Sequence, residues 1–233
     1  MITNQKKTAL LVFSLSREKE IERKAIFHGH HKKGNRVLFH LLIEQTKKLA
    51  HHCGIDAIWM DEHQQTGPDF ASRFTNAYQR LFDEGYENVV SIGNDCPDLT
   101  IELLTDAVAS LRNNSMVLGP SSDGGVYLLG INRAVFDKDS FHRLPWQIET
   151  LQQGLETYGQ TQDIEVEWLQ ELRDIDSFKD LREYVQTGPS TVVARLFRAI
   201  MESMRIIVFS IFKDVIPSFF KYSHIGLRAP PIV

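Results

Sequence analysis

Short apolar runs of strand length alternate along this chain with longer segments of helical period, and that alternation most narrows what it can fold into. The runs are Ala9–Leu15, Ile55–Met60, Asn88–Ile92, Met116–Gly119, Val126–Ile131 and Ile164–Leu169. Around them lie Val37–His52, Phe70–Glu84, Ile101–Asn113, Ile148–Tyr158, Ser177–Gln186 and Thr191–Phe212, each patterned as a helix. In the second of these, Phe70, Phe74, Ala77, Tyr78, Leu81 and Phe82 recur at three- and four-residue steps, so one face should pack on a sheet. Strands alternating with helices predict an α/β fold: a mixed, mostly parallel sheet covered by helices.

At 233 residues the chain has room for one large α/β domain or two small ones. Its 42% hydrophobic and 24% charged content is that of an ordinary globular protein, which excludes disordered, collagen-like and disulfide-rich classes. A formal net charge of -4 argues against a general nucleic-acid binder, which needs a broad basic surface to displace counterions. Cys53 and Cys96 are the only cysteines, so no disulfide framework is read and a reducing compartment is expected. Lysines before Ala9–Leu15 give a superficial likeness to a signal peptide, but no small-residue cleavage site follows, and the run reads as a first buried strand. No stretch approaches the roughly 18 apolar residues of a bilayer span, so the expectation is a cytoplasmic protein. Gly188-Pro189 breaks the pattern where the charge changes sign. Residues 1–188 are read as the main domain and 189–233 as an amphipathic helical extension.

The sharpest chemical signal is Ser91-Ile92-Gly93-Asn94-Asp95-Cys96-Pro97-Asp98-Leu99-Thr100, directly after a strand. In open α/β sheets ligands sit outside the carboxyl ends of strands, so Asp95 faces the expected site. An Asp there can hold Mg²⁺ or Mn²⁺ through one oxygen while phosphates and water complete the octahedron. Thr100 reads as the cap of the next helix and Pro97 as a turn former, which leaves Asp98 and Thr100 structural. A second signal, Ser121-Ser122-Asp123-Gly124-Gly125, joins two strands; its glycines allow backbone approach to a ligand, and equally suit a tight hairpin. In the third, Arg173-Asp174-Ile175-Asp176-Ser177-Phe178-Lys179-Asp180, Asp176 or Ser177 is a good N-cap and Asp180 suits a helix first turn. Asp174 has no such explanation and can complete a metal site with Asp95.

These stretches resemble a glycosyltransferase-A-like family of unknown function, the radical-SAM/selenodomain-associated transferase type, distantly similar to cofactor guanylyltransferases. The matches are IGNDCPDL (Ile92 to Leu99), LGPSSDGGVYLLG (Leu118 to Gly130), LPWQ (Leu144 to Gln147) and LRDIDSFKDL (Leu172 to Leu181), in order, over roughly residues 8 to 186. The resemblance implies a nucleotide-diphospho-sugar-transferase fold, a divalent metal and a small nucleotide-bearing donor. It casts Asp95 and Asp174 as metal ligands, and Asp95 and Asp123 as catalytic residues. It makes Asp123-Gly124-Gly125 a wall of the donor or acceptor site; beside it, the residues themselves offer Arg17, Gly93, Asn94, Ser121 and Trp146 as further candidate donor contacts, Trp146 as a ring to stack on a base or to pack in the core. The implied reaction is transfer from a nucleotide sugar, the alternatives being nucleotidyl transfer from an NTP and a catalytically silent nucleotide-binding scaffold.

The chain departs from that family after its first strand, where Ser14 to Lys24 holds neither glycine nor proline. Arg17, Lys19, Arg23 and Lys24 there can meet phosphate, yet three interleaved glutamates read more simply as a solvated charged helix. His28-Gly29-His30-His31 hints at metal only by composition. No histidine adjoins Cys96, so thiol catalysis is not expected. In the extension, Arg195, Arg198, Glu202 and Arg205 form a narrow polar stripe on an apolar helix carrying Leu196, Phe197, Ile200, Met204, Ile207, Val208 and Ile211. Packing on the body or in a homodimer is expected for residues 191–222 ahead of peripheral membrane contact, because cationic interfacial helices have a wider charged face.

Overall fold

The computed structural model of the chain describes residues 7–24, 26–27, 32–111, 115–188 and 191–203. Six strands, β1 (Thr8–Phe13), β2 (Asp56–Met60), β3 (Asn88–Ile92), β4 (Met116–Pro120), β5 (Val126–Asn132) and β6 (Val166–Trp168), form one sheet in the order β2-β1-β3-β5-β4-β6. All neighbours are parallel except β5, which is antiparallel to both β3 and β4. The cause is local: only residues 121–125 join β4 to β5, enough for a hairpin turn and too few for the crossover that a parallel pair needs. The expected mixed, mostly parallel α/β sheet is what forms.

The helices are α1 (Arg17–Lys24), α2 (Lys32–His52), α3 (Phe70–Asp83), α4 (Ile101–Ser110), α5 (Lys138–His142), α6 (Leu151–Thr161) and α7 (Phe178–Thr187), followed by helical backbone over 192–203. Three of their starts are set by caps the sequence advertises. Asp69 accepts from the Ser72 amide, Thr100 from the Leu103 amide, and Ser177 forms a capping box with Asp180. The five-residue α5 was not expected. It rests on the Asp137 cap and on Phe141, which is wholly buried. The charged stretch after β1 folds as the helix α1, begun once the first strand stops at Phe13, two residues short of the expected end.

Strand β1 shows how the core is divided. Ala9 and Leu11 belong to one cluster, with the buried face of α3 (Phe74, Ala77, Tyr78, Leu81, Phe82) and with Phe141 and Leu155. Leu10 and Val12 belong to another, with Leu104, Ala107 and Leu111 of the α4 region. Successive side chains point to opposite faces of a strand, and burial on both faces is why this run reads as continuously apolar.

A third cluster lies away from the sheet and joins α2 (Leu38, Phe39, Leu42) to Ile175, to Leu181 and Tyr184 of α7, and to Ala194 and Phe197. The first part of the extension therefore packs on the body, as expected, and Arg198 donates to the Val185 carbonyl at 2.8 Å. Val192 and Leu196 stay exposed. The stripe beyond residue 203 and the His28-Gly29-His30-His31 run lie outside the described residues. Among the described residues no helix is long and apolar enough to cross a membrane.

Phe197 has no exposed surface, so Phe197→Ala should cost about 3 kcal/mol through lost contacts and the cavity left behind. The change will be read as a lower urea midpoint with faster amide exchange across 192–203; unchanged exchange there would mean that this helix does not depend on the third cluster.

Candidate active site

The carboxyl-side ends of β1 and β3, the β4–β5 turn and the strip before α7 converge on one cavity of about 530 Å³. Its apolar wall is Phe13, Phe70, Phe74 and Trp146; its polar end carries Asn94, Asp95, Ser121, Asp123, Asp174 and Asp176. The strip reaches the sheet through backbone bonds. Leu172 donates to the Pro120 carbonyl at 3.1 Å, Ser122 donates to that of Leu172 at 3.1 Å, and Ile175 donates to that of Asp95 at 2.9 Å. Ile175 is fully buried in the third cluster. That anchor sets Asp174 and Asp176, its neighbours on either side, against Asp95.

Asp95 sits just beyond β3, and Gly93 makes its rotamer possible: a Cβ at Gly93 would lie 2.6 Å from the Asp95 Oδ1. Its Oδ2 accepts from the Lys24 ammonium at 2.7 Å, and Lys24 also meets the Asp176 Oδ1 at 2.6 Å. The Lys24 side chain, at the end of α1, is only 4% exposed. Burial pushes the Lys24 pKa down, but Asp95 and Asp176 raise it by more, so the ammonium is held charged. Burial likewise pushes the Asp95 carboxyl up and Lys24 outweighs it, leaving Asp95 below the usual carboxylate range.

Asp174 is the opposite case. Burial, then the charges of Asp95 and Asp176, push its carboxyl well above the ordinary value. Its Oδ1 is buried without a hydrogen-bond partner. Six buried side-chain nitrogen or oxygen atoms among the described residues lack a partner, and four of them, Ser14 Oγ, Arg73 Nε, Asn94 Nδ2 and Asp174 Oδ1, belong to residues lining this cavity. Native interiors leave few such atoms, so their grouping makes this cavity the candidate place for a polar ligand, an ion or ordered water.

The other predicted residues divide. Asp123 turns its Oδ1 into its own loop, accepting from the Ser121 hydroxyl at 2.7 Å and the Gly125 amide at 2.9 Å. Gly124 has φ +89, and a Cβ there would run into the Glu149 carbonyl. The Gln152 amide group donates to the Ser121 and Gly125 carbonyls at 2.8 Å each, fastening this turn to α6. Trp146 packs 5.0 Å from Phe74 and from Phe141, ring centre to ring centre, and donates to the Phe141 carbonyl at 3.0 Å, so its ring is core as well as wall. Arg17 does not line the cavity; its guanidinium pairs with Glu18 at 2.8 Å. The residues that sequence reasoning left in the background are Lys24, Arg73 and Asp176.

The loop after β1 is closed by carboxylates. Leu15 donates its amide to Glu20 at 3.2 Å, and Ser16 donates its amide to Glu62 at 2.7 Å and its hydroxyl to the other Glu62 oxygen at 2.6 Å. Cys96 is a thiol, not a thiolate, because burial and then Asp174 and Asp95 push its pKa well up. Asp98 accepts from the Tyr184 hydroxyl at 2.7 Å and ties the β3 turn to α7, the structural role expected of it.

Residues 37–147 match a protein family described as an uncharacterized protein conserved in bacteria, DUF2064. No curated protein matches the chain. A structure from Desulfovibrio desulfuricans, provisionally assigned as a nucleotide-diphospho-sugar transferase, aligns with a TM-score of 0.70 and 22% identity over 87% of this chain and 97% of its own. The manganese complex of Rv0371c from Mycobacterium tuberculosis aligns at 0.47, with 13% identity over 78% of this chain and 99% of its own. A 4-diphosphocytidyl-2C-methyl-D-erythritol synthase from Anaerococcus prevotii aligns at 0.48, with 10% identity over 76% and 95%. At 22% identity and a TM-score of 0.70, the first of these structures establishes a shared fold. The resemblance read from the four motifs is borne out: the chain has the nucleotide-diphospho-sugar-transferase fold, and DUF2064 likeness spans its β3 and β4–β5 motifs.

The burden on Asp174 gives a stability test. A carboxyl whose folded pKa is raised takes up a proton on folding, so its cost grows as pH rises from the unfolded carboxylate value through the folded one. Asp174→Asn should therefore raise the melting temperature at pH 8 by a few degrees, a gain of about 1 kcal/mol being worth roughly 2–4 °C in a chain of this size. The gain should shrink towards pH 4; a variant less stable than the parent at pH 8 would contradict the account.

Proposed function

We propose that this chain is a divalent-metal-dependent transferase whose donor is a nucleotide sugar. The observation that carries the reading is the unpartnered Asp174 Oδ1 beside Asp95 in a cavity lined by six carboxylates (Glu20, Asp95, Asp123, Glu149, Asp174, Asp176) against Arg23 and Arg73. A phosphate-bearing donor enters so acidic a space only with a cation between it and the protein. Carboxylate oxygens are the donors that Mg²⁺ and Mn²⁺ prefer. Among the described residues no three acidic, imidazole or thiol groups are placed to hold an ion by themselves. An ion there would be taken through one or two carboxylates and would need substrate phosphates to complete its shell. Asp95 and Asp174 would hold it, and when bound it supplies stabilisation of the charge that develops on the departing nucleoside diphosphate.

The remaining roles follow from what each residue touches. The apolar wall of Phe70, Phe74 and Trp146 offers aromatic surface to a base or to an acceptor. Asn94 brings an amide nitrogen with no other partner, and the turn of Ser121 to Gly125 is a rigid side wall. A sugar nucleotide is favoured over an NTP because Glu20 and Glu62 already take the amides of Leu15 and Ser16, which leaves the loop after β1 poorly equipped to cradle three phosphates. In the transfer, an acceptor hydroxyl oxygen bonds to the anomeric carbon as the bond from that carbon to the diphosphate breaks; the hydroxyl proton passes to solvent and the nucleoside diphosphate leaves as the anion.

The test is a thermal-shift screen of nucleotide sugars and NTPs, each with and without Mn²⁺. One nucleotide sugar at about a hundred times its Kd should stabilise the protein by roughly 2.7 kcal/mol, only with the metal present. Asp95→Asn and Asp174→Asn should abolish that shift, and turnover should release a nucleoside diphosphate. A metal-dependent shift confined to one NTP, with pyrophosphate released, would replace this reading by nucleotidyl transfer. No shift with any donor overturns it in favour of a silent scaffold.

A further inference from the structure

The ion pair at the end of α1 is oddly placed for a structural tie. Desolvating an ammonium and carboxylates is expensive, and breaking even from such a pair requires that every charge be matched. Around Lys24 the match is incomplete: one ammonium faces Asp95 and Asp176 directly, Asp174 lies close enough for all three charges to act on it, and its Oδ1 has no partner. Arg23, the neighbouring cation, bonds Glu20 at 3.2 Å and acts on Asp95 only at a distance. The cluster is thus short of positive charge, and a divalent ion is a group that would supply it.

The two carboxylates that hold Lys24 also differ. Asp95 is 23% exposed and lies inside; Asp176 is 49% exposed and lies at the rim. An ammonium released from Asp95 can stay on Asp176 and remain paired while the inner oxygen becomes free.

We propose that Lys24 is the resident cation of this site, seated on Asp95 in the empty protein and displaced outward onto Asp176 when a divalent ion binds. This rests on the reading of Asp95 and Asp174 as the metal pair and adds its regulation. The same carboxylate oxygen cannot serve both cations, so Lys24 competes with the metal and weakens its binding to the empty protein. The affinity of an ion for a site open only part of the time falls by the open fraction; a seat occupied by Lys24 about nine-tenths of the time lowers it about tenfold. A donor bringing phosphates to the ion then restores what Lys24 withholds, which makes the site select the metal together with its nucleotide.

The experiment is calorimetric titration of the full chain with Mn²⁺ alone. Lys24→Met should bind Mn²⁺ about tenfold more tightly than the parent, the loss of a competing seat, whereas Lys24→Arg should bind like the parent. Equal or weaker binding by Lys24→Met overturns the proposal. Should that variant not fold, amide exchange in the unmodified protein decides. Mn²⁺ alone should speed exchange in residues 17–24 as the Lys24 contact is given up, and unchanged or slower exchange there overturns the proposal. Metal-dependent donor binding by the parent, with no gain in Lys24→Met, would sink this inference and leave the proposed function standing. Absence of Mn²⁺ binding in every form and with every donor would sink both.

Discussion

A carboxylate withdrawn from water at the end of a strand must meet a positive charge, a proton or enough hydrogen-bond donors, and the arrangement around Asp95 and Asp174 follows from that requirement. Asp95 meets it with Lys24, which fixes where the end of α1 lies. Asp174 does not meet it within the chain, and its carboxyl is driven well up as a result. An incompletely compensated acidic pair is costly to keep in a fold whose net stability is a small difference between large terms. It lines a cavity that also holds other unpartnered polar atoms, and the proposed cation with its polar donor would complement both.

The architecture that holds this pair is built far from it. Because β5 is antiparallel to both β3 and β4, β4 runs in the direction of β3, and the five-residue turn of Ser121 to Gly125 after it lies at the same end of the sheet as the end of β3. From there the chain crosses through α5 and α6 and returns along β6 to the strip that holds Asp174. Ile175, buried with Leu38, Phe39 and Tyr184, pins that strip, and its amide on the Asp95 carbonyl sets the two acidic segments side by side. The start of the C-terminal extension packs into the same cluster through Ala194 and Phe197. Packing remote from the cavity thereby sets the spacing of the acids that line it.

Most strands and helices were legible because each apolar run has one dominant period and several helices, α3, α4 and α7 among them, announce their start with a cap. Asp95 was legible for a related reason, since a polar turn directly after a fully apolar strand has one place to go in an open α/β sheet. Asp123 shows where such reading stays two-sided. Its position in a glycine turn points equally to a ligand and to the turn itself, and the structure gives its Oδ1 to Ser121 and Gly125. The charged stretch after β1 shows a second kind of failure. Arg17 and Lys24 stand seven residues apart, nearly on one face of a helix but about 10 Å apart along it. Nothing in the spacing tells which end of α1 will reach the acids.

The sequence by itself determined the order of elements, the antiparallel reversal at the glycine turn and the presence of acidic residues at the strand ends, because these depend on local period, turn length and caps. Only the tertiary structure decided that Lys24 and not Arg17 faces Asp95, that Asp176 shares it, and that Asp174 Oδ1 is left without a partner. Those facts belong to contacts such as Lys24 with Asp95, 71 residues apart in the chain. Such contacts are fixed by how α1 and the Ile175 strip pack across the end of the sheet, and no window of sequence contains both sides of that packing.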